Sequence, residues 1–228
     1  MKILAIETST MLGGVAIADE KGLIAESRLN VKSTHSERLM MTIDQQLRHS
    51  ELSLHDIDLF AVASGPGSFT GLRIGLSTAK GLCYATGKPL VMVPTLDAFA
   101  EAFAYARYPV CIMLDARKGE VYASVYRWDG TMVKILDEVS APPEELFRNA
   151  VGPVILAGEG AQVYRRRLAD LLGDRALFAP DPLMVPSPAQ VALLGLGKAQ
   201  RDDFTDASVA EPLYVRKSEA EVKWSQTR

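Results

Sequence analysis

Three short stretches carry residues that could do chemistry. Glu7-Thr-Ser9 sets a carboxylate beside two hydroxyls, Asp115-Ala-Arg-Lys-Gly119 sets one beside two cations, and Gly158-Glu-Gly160 frames one between glycines. A fourth stretch, 64–75, reads Ser-Gly-Pro-Gly-Ser-Phe-Thr-Gly-Leu-Arg-Ile-Gly and joins an apolar run at 59–63 to a helical pattern. Strand, glycines and helix N-terminus together form the geometry that takes phosphate through backbone N–H groups. Yet no lysine stands at the helix start, as a Walker A loop requires, and the Rossmann glycine spacing is absent. Gly65, Gly67 and Gly71 fit a tight packing turn equally well, because a missing Cβ also lets backbone approach backbone. The histidines are His35, His49 and His55. They contain no His-x-x-x-His pair to present two imidazoles on one helical face, so no metal site is assigned. No Ser/His/Asp set or acid/base pair stands out either, and no catalytic residue is named.

The elements that must position these stretches come in a repeated order. Apolar runs at 3–6, 13–18 and 23–29 with short connections read as an antiparallel meander. Thr34-His-Ser-Glu37 is a capping box opening a helix to about His49. A strand at 59–63, the glycine loop, a helix over 71–86, a strand at 90–93 and a helix over 95–106 follow. The second half repeats the order, with strands at 109–114, 120–126 and 131–139 and a short helix at 143–149. A strand at 154–156, a helix at 161–171, a strand at 176–178 and a helix at 188–200 complete it. Two βββαβαβα units in tandem are the signature of the α/β actin/sugar-kinase/Hsp70-like (ASKHA) fold, here with mixed sheets. The expected division is 1–106, a smaller second domain at 107–208, and a C-terminal segment at 209–228. In that segment, Glu211-Pro-Leu-Tyr-Val-Arg216 is expected to dock back on the body, ahead of a frayed tail.

This frame gives the chemical stretches places. Glu7, Thr8 and Ser9 fall in the hairpin where kinases of the fold grip nucleotide phosphate, and Asp115 and Arg117 fall in its counterpart in the second half. Gly158 and Gly160 fall where such folds touch adenosine, which makes ATP or ADP a candidate ligand. The 71–86 helix has a core stripe of Leu72, Leu76, Ala79 and Cys83 and a second, mostly small stripe of Gly71, Gly75, Thr78 and Leu82, flanked by Ile74. Glycine inside a helix costs up to about 1 kcal/mol relative to alanine, so Gly71 and Gly75 are expected to admit a partner helix. The 35–48 helix buries Leu39, Ile43 and Leu47, leaving His35, Met40, Met41 and Asp44 beyond its core face. Both helices are therefore expected to form a docking surface.

Bulk properties narrow the class. The 228 residues carry a net charge of −3 with a pI near 5.7, and 48% are hydrophobic. A mildly acidic chain is a poor stand-alone binder of nucleic acid, which needs clustered Lys and Arg. Any RNA is expected to be held through another subunit. Cys83 and Cys111 sit in apolar runs and read as buried thiols of a reducing compartment. The N-terminus meets Glu7 too early for a signal peptide, and no window approaches the ~18 apolar residues of a membrane span. The expected location is the cytoplasm.

Four motifs together resemble the bacterial TsaB (YeaZ) family. They are Ile3-Leu-Ala-Ile-Glu-Thr-Ser9, the glycine motif 65–75, Asp115-Ala-Arg-Lys-Gly-Glu-Val-Tyr122 and Glu211-Pro-Leu-Tyr-Val-Arg216, and they span nearly the whole chain. The resemblance implies an ASKHA-fold subunit of the machinery that makes N6-threonylcarbamoyladenosine in tRNA. In that pathway the threonylcarbamoyl group of threonylcarbamoyl-AMP passes to the adenosine 3′ of the anticodon in tRNAs reading ANN codons. The catalytic paralogue, TsaD, holds a metal through paired histidines in the helix matching 35–48. Here His35 is followed four residues on by Leu39, so the implied role is non-catalytic. The resemblance further implies docking on TsaD through the first-domain helices, recruitment of the ATPase TsaE, and homodimers when the partner is absent. No cofactor is required, and ATP or ADP is an optional occupant. Two other readings stand beside this one: an ATP-dependent phosphotransferase of the same fold, and a metallopeptidase.

Overall fold

In the computed structural model, residues 1–30, 35–148 and 151–216 are described. The apolar run at the N-terminus becomes β1 (Lys2–Glu7), the central strand of a five-stranded sheet. β2 (Leu12–Asp19) and β3 (Gly22–Asn30) continue from it as an antiparallel meander. After α1 (His35–His49), β4 (Leu59–Ala63) adds parallel to β1. α2 (Phe69–Thr86) then returns the chain to β5 (Leu90–Val93), parallel to β4. Every residue of β4 is buried, as an all-apolar strand covered on both faces requires.

The second half repeats this plan. α3 (Thr95–Ala100) leads to β6 (Val110–Arg117), β7 (Glu120–Trp128) and β8 (Met132–Ala141). β9 (Val154–Ala157), α4 (Glu159–Val163), α5 (Arg165–Leu172), β10 (Ala176–Phe178) and α6 (Pro188–Ala199) follow. The two sheets have the orders β3-β2-β1-β4-β5 and β8-β7-β6-β9-β10, with matching antiparallel and parallel pairs. The tandem α/β ASKHA architecture expected from element order is the one observed.

Differences from the expected elements have local causes. The helix expected over 95–106 stops at Ala100 and tightens into a 3-10 turn at Glu101–Phe103. The helix expected at 161–171 breaks at Tyr164 (φ −101°, ψ 18°) into α4 and α5. The short helix expected at 143–149 is a 3-10 turn, Pro143–Phe147, entered through Pro142. The side chains of the capping box at 34–37 lie outside the described residues.

α6 changes the domain division read from the sequence. It belongs to the second unit by order, yet Val191, Ala192, Leu196 and Ala199 pack on Ile3, Ala5, Ala16 and Ala18 of the first sheet. A methyl group at Gly195 would stand 2.7 Å from Ile3 Cδ1, so the small residue lets this helix lie close. Ser187 caps the helix and donates to Glu26 Oε1 of β3 at 2.5 Å. The opposite face of the same sheet takes α1 and α2 through Leu39, Ile43, Leu47, Leu76, Ala79 and Leu82. Each such Leu or Ile contributes about 1.5–3 kcal/mol over an exposed one. α3 lies between the lobes: Leu96 and Phe99 join the second core, Ala98 the first, and Asp97 accepts from Tyr126 Oη (2.7 Å).

Candidate functional site

The glycine loop folds down on the end of β1. Ser68 N donates to Ser9 O (2.7 Å), and Thr8 Oγ1 donates to Gly71 O (2.8 Å). A methyl group at Gly67 would run into the Ser9 carbonyl oxygen, one at Gly71 into the Thr8 carbonyl oxygen, and one at Gly75 into Thr8 Oγ1. Three of the loop's small residues are thus consumed inside the chain. Gly71 and Gly75, expected to admit a partner helix, instead admit Thr8, and both are buried. Leu82, placed on the same outward stripe, is 6% exposed and belongs to the first-lobe core.

The same closure buries the residues expected at the first nucleotide position. Glu7, Thr8 and Ser9 are all buried, so the turn that would grip phosphate lies beneath the glycine loop. Ser9 N donates to Glu7 Oε1 at 2.6 Å, while Glu7 Oε2 is buried without a partner among the described residues. Burial pushes the Glu7 carboxyl up to about 7, against the lowering effect of the Ser9 hydrogen bonds. The two glycines of the expected adenosine position are also packed inside the chain, while Glu159 between them lines an open cleft. A methyl at Gly158 would strike Met113 O, and one at Gly160 would come within 3.0 Å of Val121 Cγ1. Gly158 and Gly160 therefore serve the approach of α4 to β6.

Asp115 and Arg117 are brought together at an open cleft between the lobes. The cleft holds about 250 Å³ and is lined by Ser68, Phe69, Asp115, Arg117, Glu159 and Arg216, among others. The β6–β7 hairpin turns through Lys118 and Gly119, with Arg117 (φ 64°) and Lys118 (φ 55°) in the left-handed region and a register shift beside Asp115. This geometry leaves the Arg117 side chain 78% exposed, 3.4 Å from Asp115 Oδ2. Burial, then the charge of Asp115, holds the Glu159 carboxyl above its usual range. Arg216 donates to Glu120 Oε2 (3.1 Å), so both arginines of the cleft already face carboxylates. Ser68, Phe69, Glu159 and Arg216 were missed as cleft residues. Each lies in a stretch singled out from the sequence, 64–75, 158–160 or 211–216, but none was assigned to a cleft.

The outward side of α1 and α2 is the other candidate. Both helices cover one face of the first sheet and touch each other. Met40 and Met41 are 51% and 64% exposed, and Asp44 stands beside them, paired with Arg48 at 3.0 Å. On α2, Ile74 and Thr78 are half-buried, while Gly81 and Ala85 are exposed at helical spacing from them. A Cβ at Gly81 would meet nothing within 4 Å, so no packing among the described residues accounts for this glycine. The side chain of His35, at the start of α1, lies outside the described residues. Among the described residues, no group of three His, Cys, Asp or Glu could hold a metal ion. Cys83 and Cys111 are free and buried, and burial pushes their thiols up to about 11 and about 12.

Two lobes of matching sheet topology with an open cleft between them define an ASKHA-fold protein. The family model for TsaD, tRNA N6-adenosine threonylcarbamoyltransferase, matches residues 23–224. The chain is 30% identical over 232 residues to the tRNA threonylcarbamoyladenosine biosynthesis protein TsaB of Bacillus subtilis, covering all of both chains. It also matches the solved structure of YeaZ from Pseudomonas aeruginosa, with a TM-score of 0.78 and 27% identity over 93% of this chain and 99% of that one. The ethanolamine utilization protein EutJ of Carboxydothermus hydrogenoformans shares the fold alone, at a TM-score of 0.55 and 15% identity, over 86% of this chain and 90% of that one. The chain belongs to the TsaB family.

Proposed function

We propose that this chain is a non-catalytic subunit in the formation of N6-threonylcarbamoyladenosine in tRNA. In this reading it docks on a TsaD-type threonylcarbamoyltransferase through α1 and α2, allows the ATPase TsaE to join, and pairs with itself when alone. The tRNA is held through the complex, no cofactor is required, and the assembly works in the cytoplasm. Among the described residues, no helix is long and apolar enough to cross a membrane.

The observation that carries the reading is the contrast between the two candidate surfaces. Glu7, Thr8 and Ser9 are buried beneath the glycine loop, whereas Met40, Met41 and the unpacked Gly81 stand open. A glycine at an exposed helix position costs about 1 kcal/mol, and a partner helix approaching there gives it a use. The test is to mix the chain with TsaD and TsaE, measure the mass of the product, and repeat with Met41→Glu and Gly81→Arg. Undiminished association of both variants would sink the docking face.

The ATP-dependent phosphotransferase reading keeps one observation in its favour, the exposed Arg117 in an open cleft. Calorimetric titration with ATP separates it from the first. Stoichiometric binding with turnover by the isolated chain would favour the phosphotransferase.

A further inference from the structure

The 211–216 motif has no part in the proposed docking face, yet it is fastened at both ends. Ala210 is buried in the first-lobe core, and Leu213 N donates to Ser64 O at 2.7 Å, at the end of β4. The Tyr214 ring stacks on Phe69 with centroids 4.7 Å apart, and its hydroxyl accepts from Arg73 Nε at 3.1 Å. Phe69 and Arg73 lie in the first turns of α2. Within two more residues the chain reaches the other lobe. Val215 packs on the second core, and the Arg216 guanidinium donates to Ala116 O (3.0 Å) and Glu120 Oε2 (3.1 Å). Glu120 is itself steadied by Ser140 Oγ at 2.8 Å.

The crossing lies at the interlobe cleft, because Phe69 at one end and Arg216 at the other both line it. A short segment with one end stacked on α2 and the other clamped on the β6–β7 hairpin limits how far the two can separate. Charge-assisted hydrogen bonds to a carboxylate and a carbonyl, in the fork geometry of arginine, resist both sliding and twisting. We infer that residues 213–216 are a releasable brace that sets the angle between the lobes and hence the width of the cleft. Arg216 is its release point, since its clamp on the second lobe consists of polar contacts, whereas Tyr214 is held on α2 by a ring stack as well as a hydrogen bond. Freeing Arg216 opens the cleft while each lobe keeps its own core. The inference does not depend on the docking reading.

The test uses the full chain with spin labels at Lys21→Cys and Asp170→Cys, one exposed position in each lobe; the native thiols are buried. The interlobe distance distribution is expected to broaden and lengthen in Arg216→Ala and in Glu120→Gln, with Arg216→Lys intermediate. Amide exchange serves as the control for folding. The Leu213 N–H is expected to exchange about tenfold faster in Arg216→Ala, with β1 and β6 amides unchanged. A distance distribution in Arg216→Ala that superimposes on the parent's would overturn the brace. So would accelerated exchange spread evenly through both cores, which would make Arg216 an ordinary stabilising contact.

Discussion

Thr8 fills the space that side chains at Gly71 and Gly75 would need, and its hydroxyl hydrogen-bonds to the Gly71 carbonyl at 2.8 Å. This contact ties the end of β1 to the start of α2. With Ser68 N bonded to Ser9 O, it leaves Glu7, Thr8 and Ser9 buried beneath the glycine loop.

Alanine at Gly71 or Gly75 is therefore expected to destabilise the isolated chain by roughly 1–3 kcal/mol, the range for overpacked sites. Gly81→Ala is expected to stabilise it by up to about 1 kcal/mol, since its Cβ enters open space and helix propensity improves. Urea titration at constant m-value measures all three. Equal behaviour at Gly75 and Gly81 would contradict the packing described.

Glu7 makes stability depend on pH in an unusual direction. Its folded value of about 7 lies above the ordinary 4.5, so the native state holds a proton that the unfolded chain has released. The penalty is absent below pH 4.5, grows as pH rises toward 7, and is complete above 7. It amounts to something of order 3 kcal/mol. Glu7→Gln keeps an acceptor for Ser9 N and removes the titration. Denaturation curves between pH 5 and 8 are expected to be flatter for the variant. A parent and variant with parallel curves would refute the assignment.

The two thiols are expected to resist alkylation at pH 8 in the native chain and to react in full after unfolding, because burial keeps both protonated and covered. Timed mass spectrometry with iodoacetamide checks this. Rapid native labelling of Cys111, at the start of β6, would require that strand to open.

Much of the fold was legible because apolar runs and their connections state it directly. Ile3–Ile6 and Leu59–Ala63 cannot face water on either side, and the turns at Asp19–Gly22 and Arg117–Glu120 leave only hairpins. The contacts of α6 were not legible, because an apolar face with Gly195 would suit either sheet. The glycines misled for a related reason. A sequence shows that a Cβ is missing, not what occupies the vacancy, and at Gly71 and Gly75 the occupant is Thr8, more than sixty residues away in the chain. Gly81 carried the same signal and was passed over, although a Cβ there would meet nothing within 4 Å among the described residues. Arg216 reaches the cleft through contacts about a hundred residues distant, which no local pattern announces.

Charge placed on the open face is expected to act on association and not on folding. Met41→Glu and Gly81→Arg should leave the melting temperature of the free chain within a few degrees of the parent, surface changes being worth about 0.5 kcal/mol or less. Both should weaken capture by TsaD at least about tenfold, the effect of an unpaired charge at a packed helix contact. Surface plasmon resonance beside thermal melts separates the two effects.

The most direct measurement of the central claim is reconstituted tRNA modification with threonylcarbamoyl-AMP supplied. The chain alone is expected to transfer nothing, and its addition to TsaD and TsaE to raise N6-threonylcarbamoyladenosine formation, with Met41→Glu and Gly81→Arg failing to do so. Transfer by the isolated chain, or full stimulation by variants that no longer associate, would contradict the account.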